Sequence, residues 1–342
     1  QKVNNTDVYD IASLTKIVAT LPNVMQEFDQ GHLTLETKLK TMLPEAKNSN
    51  KANATVLDML THQARFQPWI PFYKATLDSL NRPSTHFYRS EFSDEFPVHV
   101  ADKLYLRKNY NDTIVKTILD SELLPKKQYK YSDFTFILFK EYLELHNKKS
   151  LEDLAHANFF EPLGANSIMY NPLRKMNANR IIPTENDNYF RHQIVQGYVH
   201  DMAAAMQGGI SGHAGLFANA LDVAKVMQMY LQKGSYGGRT YISENTFNTF
   251  NTCYFCKDGN RRGVGFDKPQ LGNEGPTCGC VSLTSFGHTG FTGTMTWADP
   301  EKEIVYVFLS NRTFPDSNAT NKLSKENIRE NIQKVIYEAI IE

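Results

Sequence analysis

The stretch Asp10-Ile11-Ala12-Ser13-Leu14-Thr15-Lys16-Ile17-Val18-Ala19-Thr20 decides how the rest of this chain is read, because it sets a hydroxyl and an amine three residues apart. On a helix those two side chains share one face. A serine hydroxyl is a weak nucleophile until a neighbour takes its proton, and a lysine one turn further on is within reach. The helix follows from apolar residues at helical spacing, Ile11, Leu14, Ile17, Val18, Leu21, Val24, Met25 and Phe28, with Gly31 as its stop. Ser13 then lies near a helix N-terminus, where unpaired amides and the dipole favour a developing oxyanion. An isolated Ser-x-x-Lys also fits a capping serine followed by a solvated lysine, so elements elsewhere in the chain have to decide.

Two such elements lie downstream. Tyr131-Ser132-Asp133 opens a second apolar-periodic run through Phe134, Ile137, Leu138 and Tyr142, and His288-Thr289-Gly290 sits in a strand-like segment rich in glycine and threonine. In this order and at this wide spacing the three triplets resemble the serine β-lactamase and penicillin-binding superfamily. Within it the chain is similar to class C β-lactamases, D-alanyl-D-alanine carboxypeptidases and related esterases. Residues 57–62, 160–164, 197–203, 212–217 and 285–300 carry further likeness, so the resemblance covers nearly the full length. It implies an α/β fold of the α+β kind, an antiparallel sheet flanked by helices with an inserted all-helical lobe. A single catalytic domain over residues 1–342 is expected, with 1–31 plus 221–342 as the α/β lobe and 32–220 as the mostly helical one. Relatives carry a helix and two strands ahead of Ser-x-x-Lys, so N-terminal strands are expected to be missing here and a sheet edge left exposed. A cleaved upstream segment that stays associated or a neighbouring chain could supply them, or this stretch of sequence could simply omit them. The chain also resembles the C-terminal domain of some family 3 glycoside hydrolase fusions, which makes such a hydrolase a candidate partner.

Composition is compatible with this reading. The chain has 342 residues, 41% of them hydrophobic, with 37 basic against 37 acidic side chains, so charge points to no nucleic-acid or anionic-membrane partner. No apolar run approaches the ~20 residues of a transmembrane helix, and no signal sequence is present. Strands are expected around 282–288, 293–298 and 303–311, the last two joined at Asp299-Pro300, with a helix over 324–341 behind them. Thr55 with Asp58 and Ser150 with Asp153 form capping boxes, and a helix over 220–231 stops at Gly234. Residues 66–112, rich in aromatics and proline, read as an irregular excursion that walls a substrate cleft or simply packs.

The resemblance implies roles for particular residues. Ser13 would be the nucleophile, Lys16 and Tyr131 would share the proton work, and the backbone amides of Ser13 and Phe291 would form the oxyanion hole. Desolvation is expected to lower the Lys16 pKa, and the ammonium beside it to push Tyr131 towards phenolate. Asp133, His288, Thr289 and Gly290 would bind substrate. Asp133 stands where relatives have asparagine, so it would pair with Lys16 or accept from a substrate amine. His288 replaces a lysine and would hold a substrate carboxylate only when charged, or else stay neutral and hydrogen-bond the tyrosine. Phe291 would narrow the cleft, and His213 is either structural or cleft-lining. Cys253, Cys256, Cys278 and Cys280 could bind a structural zinc ion, form disulfides such as Cys256 with Cys278, or remain thiols. No cofactor is needed. The implied function is a serine acyl hydrolase acting on an ester, a D-amino-acid amide or peptide, or a β-lactam-like substrate, small or peptidoglycan-derived, in the periplasm or secreted. The alternative is a catalytically weak module that binds peptidoglycan fragments for a glycosidase.

Overall fold

The apolar positions around Ser13 are all inside: Ile11, Leu14, Ile17, Val18, Leu21, Val24 and Met25 are fully buried. The computed structural model describes residues 2–272, 275–317 and 321–340. A short strand, β1 (Tyr9–Asp10), leads into a 3-10 turn at Ala12–Leu14, a π-helical turn at Lys16–Thr20 and then helix α1 (Leu21–Asp29). The expected single regular helix is therefore broken in its first turns. Pro22 explains part of this, since it has no N–H to give to the carbonyl four residues back and a wider turn takes up the mismatch. Carbonyls in the irregular turn find side-chain partners instead. Tyr230 Oη donates to the Ile17 carbonyl at 2.9 Å and Asn23 Nδ2 to that of Ala19 at 2.7 Å.

Helix α2 (Phe134–Asn147) follows the Tyr131-Ser132-Asp133 triplet. Strands β2 (Met169–Tyr170) and β3 (Leu216–Ala218) complete a small antiparallel sheet of order β1-β3-β2, which ties the start of the chain to its middle. Helix α3 (Ala220–Leu231) packs on the main sheet, formed by β4 (Phe286–Thr289), β5 (Met295–Asp299) and β6 (Ile304–Phe308) in sequential antiparallel order. Gly287 faces Trp297, which faces Tyr306. Among the described residues the outer edge of β6 pairs with no strand. The C-terminal helix α4 (Ile328–Glu338) is shorter than the expected 324–341 run, because Asn327 takes a left-handed φ of 48° and separates it from a turn at Lys322–Lys325. Ile341 lies outside the described residues. Helix α4 leaves Ile332, Val335 and Ile336 exposed.

Both capping boxes form, with the Asp58 and Asp153 amides donating to Thr55 and Ser150 hydroxyls at 3.1 and 3.0 Å. The 66–112 excursion holds a small sheet of Tyr88–Arg89, Leu104–Leu106 and Val98–Ala101. The cysteines pair locally, Cys253 with Cys256 and Cys278 with Cys280. That corrects the Cys256–Cys278 pairing, and with every sulfur in a disulfide no thiolate is left to ligate zinc. Proximity accounts for it: the paired Cα atoms are 5.6 and 5.2 Å apart, within disulfide span.

The loop before β3 is pressed against the turn that leads into α1 and against α2. Thr20 Oγ1 donates to the Gly212 carbonyl at 2.7 Å, and a Cβ on Gly212 would lie 2.0 Å from the Phe136 carbonyl oxygen. Backbone cannot yield as a side-chain tip can. Gly212→Ala should therefore lose about 1–3 kcal/mol of stability, read as a lower urea midpoint at unchanged m-value.

Candidate active site

Lys16 is fully buried, and an ammonium without water needs an acceptor for each of its three protons. Three oxygens surround it. Lys16 Nζ donates to Ser13 Oγ at 2.8 Å and to the His213 carbonyl at 3.1 Å, and it forms an ion pair with Asp133 Oδ1 at 2.7 Å. Tyr131 Oη also donates to Ser13 Oγ, at 3.1 Å. Four residues separated by up to 200 positions thus meet around one amine.

The resting proton inventory differs from the one expected. Burial alone would push Lys16 down, but the Asp133 carboxylate and the Tyr131 phenol beside it outweigh burial and hold it above the usual lysine value. Burial pushes Tyr131 up, and the Lys16 ammonium only partly opposes this. Both neighbours of Ser13 rest protonated and both donate to it. Asp133 is the reason, through the carboxylate it sets against Lys16.

The turn carrying Ser13 is fixed from two sides. Asp10 accepts the Ala12 amide at 2.8 Å and the His200 amide at 2.6 Å, and Ala12 is held at a left-handed φ of 47°. Beyond β4, Thr292 Oγ1 donates to the Asp10 carbonyl at 2.8 Å and Thr294 Oγ1 to that of Ile11 at 3.1 Å. These straps bring residues 290–294 against the serine turn. Contact is so close at Gly290 that a Cβ would lie 2.1 Å from Thr294 Oγ1 and 2.9 Å from the Ile11 carbonyl. Thr289, Gly290 and Phe291 line the same cleft as Ser13, a cavity of about 960 Å³. Phe291 is 55% exposed, with its ring between His200, 5.3 Å away, and the Arg312 guanidinium at 4.6 Å.

His288 is buried at 2% exposure, and its Nδ1 donates to the Thr289 carbonyl at 2.7 Å. Burial, reinforced by Arg262 and Lys16, pushes its pKa down to about 3. An uncharged ring near pH 7 gives a substrate carboxylate no countercharge, and its Nδ1 hydrogen bond goes to its own neighbour rather than to Tyr131. The cleft's cations are arginines that the sequence reading did not assign. Arg262 lies over the Tyr131 ring at 5.3 Å and pairs with Asp267, which also takes two hydrogen bonds from Arg261 at 2.9 and 3.0 Å. Burial and the neighbouring Arg329 hold Arg312 below the usual arginine value. His213 lines the cleft and bridges Ser211 Oγ and Asp201 Oδ1 at 2.9 and 2.8 Å. Asp201 was present in the quoted 197–203 stretch, but nothing in its spacing marks it as the partner of His213. Trp69 and Tyr73, from the aromatic excursion, stand on the cleft wall.

The pattern of the family described as Beta-lactamase matches residues 1–327. The chain is 28% identical over 332 residues to a protein of Escherichia coli (strain K12) named "Putative D-alanyl-D-alanine carboxypeptidase", covering 91% of this chain and 70% of that protein. It is likewise 28% identical over 334 residues to an N-acetylmuramyl-L-alanine amidase of Bacillus subtilis (strain 168), covering 91% and 69%. A crystal structure of a penicillin binding protein from Bacillus halodurans superposes with a TM-score of 0.61 at 16% identity, over 95% of this chain and 86% of that one, a likeness of fold.

The neutral His288 has a consequence for stability. Its pKa falls from about 6.5 unfolded to about 3 folded, so the unfolded chain binds more protons between those values and stability drops as pH falls through that window. His62, also buried and held well below its usual value, acts in the same direction. His288→Gln should flatten, without abolishing, the loss of urea midpoint between about pH 6.5 and 3.

Proposed function

The chain belongs to the β-lactamase family, a family of serine hydrolases, and from that premise we propose that it is a serine acyl hydrolase of cell-wall peptides, acting in the periplasm or outside the cell. The observation that carries this reading is Ser13 Oγ, hydrogen-bonded to both Lys16 and Tyr131 at the floor of an open cleft. Ser13 would attack the carbonyl carbon of an amide or ester, with the Ser13 and Phe291 amides receiving the oxyanion. The serine proton has nowhere to go while Lys16 and Tyr131 are both protonated. Activation therefore requires the group formed by Lys16, Tyr131 and Asp133 to lose one proton first, after which the same group returns a proton to the leaving amine. Water then resolves the acyl-enzyme. The family 3 glycoside hydrolase partner fits this reading, since it would cut N-acetylhexosamine linkages and leave peptide-bearing fragments.

Substrate charge is read from the arginines. The strongest charged neighbour of Arg312 is another cation, Arg329, and both line the cleft beside Phe291. A substrate carboxylate placed there would relieve that repulsion. Thr289 and Gly290 would align the substrate along β4, and His288 would stay behind them as an uncharged ring whose buried Nε2 has no partner among the described residues.

Three outcomes test these roles. A fluorophosphonate should label wild-type protein on the Ser13 peptide, and Ser13→Ala should abolish labelling and cut turnover at least about a thousandfold. Binding of muropeptides without labelling or turnover would instead favour the binding-module reading. Asp133→Asn removes the carboxylate that keeps Lys16 protonated, so the acid limb of kcat/KM should move to lower pH. Arg312→Gln should raise KM for a peptide with a free carboxylate by about 10- to 100-fold, the worth of a charge-assisted hydrogen bond, and leave a neutral ester unaffected.

A further inference from the structure

Far from the cleft, three side chains converge at the other ends of the two helices that carry it. Gly31, at a φ of 76°, turns the chain back after α1, and the His32 and Leu33 amides both donate to the Glu27 carbonyl, at 2.9 and 3.3 Å. The turn returns His32 to the side of Glu27. The last turn of α2 brings His146 to the same point. Glu27 Oε2 lies 2.9 Å from His32 Nδ1 and 3.3 Å from His146 Nε2, and the two ring nitrogens are 3.3 Å apart.

Hydrogen bonding accounts for only part of this triangle. If each ring donates to the carboxylate, two N–H groups face each other across the third side. A cation inside the triangle uses all three atoms as donors of electron pairs. Ligands about 2.0–2.1 Å from a tetrahedral zinc ion stand roughly 3.3 Å apart, and two of the three sides here are 3.3 Å, the third being 2.9 Å. The surroundings suit a ligand set as well. Glu27 is nearly buried, its other oxygen accepts from Asn147 Nδ2 at 2.9 Å, and Tyr142 Oη donates to Oε2 at 3.4 Å, so the carboxylate is oriented from outside the triangle. Both imidazoles keep one side in solvent, at 44% and 39% exposure, leaving access and room for a fourth ligand.

We propose that Glu27, His32 and His146 form a binding site for a divalent cation of the zinc type, two imidazoles and one carboxylate being a donor set that such ions favour. The site is structural and distinct from the cleft. By helical rise it lies roughly 20 Å from Ser13 along the segment that continues into α1. Its effect is to clamp α1, which continues from Ser13 and Lys16, to α2, which begins after Tyr131 and Asp133. Another triad, Asp133, Asp201 and His213, also brings three donor atoms together. Lys16 sits 2.7 Å from Asp133, so a fixed positive charge already occupies that cluster.

The test uses the whole chain, treated with chelator and kept free of reductant so that its disulfides persist. Zinc chloride titrated into it should bind at one ion per chain by calorimetry and raise Tm by several degrees. Cobalt(II) at the site should show the intense visible bands of a tetrahedral complex. His32→Asn and His146→Asn should each abolish zinc uptake and the Tm increase, with circular dichroism unchanged because both residues are at the surface. His213→Asn should leave uptake intact. Absence of zinc uptake by wild-type protein, uptake unchanged in the His32→Asn/His146→Asn double variant, or uptake lost in His213→Asn instead would overturn the proposal.

Discussion

A lysine ammonium with no exposure to water is the constraint around which this protein is arranged. Leaving such a charge unpaired in the interior would cost several kcal/mol, and the amine would lose its proton rather than stay buried alone. Here it keeps the proton because the serine turn, the start of α2 and the loop before β3 each place an oxygen against it. Packing of the serine turn and α1 against α2 and satisfaction of one cation are therefore the same event. Gly212 shows how little slack remains, since the loop that offers the His213 carbonyl also touches the α2 backbone.

That arrangement decides the chemistry. With an amide at position 133, Lys16 would feel burial without a compensating anion and would give up its proton more readily. With Asp133 the ammonium is stabilised, and Ser13 rests between two donors. Asp133 and Asp201 line the cleft with Lys16 and His213 as partners, Arg261 and Arg262 pair with Asp267, and Arg312 and Arg329 line it with Phe291. His288 stays neutral because its surroundings are dry and already positive. Guanidinium groups line the same cleft, and unlike an imidazole they hold their charge at any pH the protein meets.

Helices α1 and α2 are also fastened at their far ends by Glu27, His32 and His146. The two fastenings differ in kind. One is buried and uses the lysine's own charge beside Ser13; the other is open to solvent and places three electron-pair donors together.

Much of this was legible in the residue order. Local signals survived folding because they depend on near neighbours: the burial of the apolar positions around Ser13, even though the regular helix they predicted is broken in its first turns, the caps at Thr55 and Ser150, the Asp299-Pro300 turn between β5 and β6, and the Ser13–Lys16 spacing that brings both groups together. Tyr131 and Asp133 were found by motif rather than by contact. What the sequence left open depends on groups brought together from afar. The π-helical turn needs Tyr230 to satisfy the Ile17 carbonyl, 213 residues away. Local closure of the two cysteine couples, rather than a bridge between them, depends on where the loops end. Charge on His288 follows from burial and from Arg262, and the raised pKa of Lys16 from a carboxylate 117 positions on. His146 reaches His32 across 114 residues. Sequence alone set which side chains are available and which local turns they favour. Tertiary structure decided which of them share a dry space, and in a dry space neighbouring charges determine protonation.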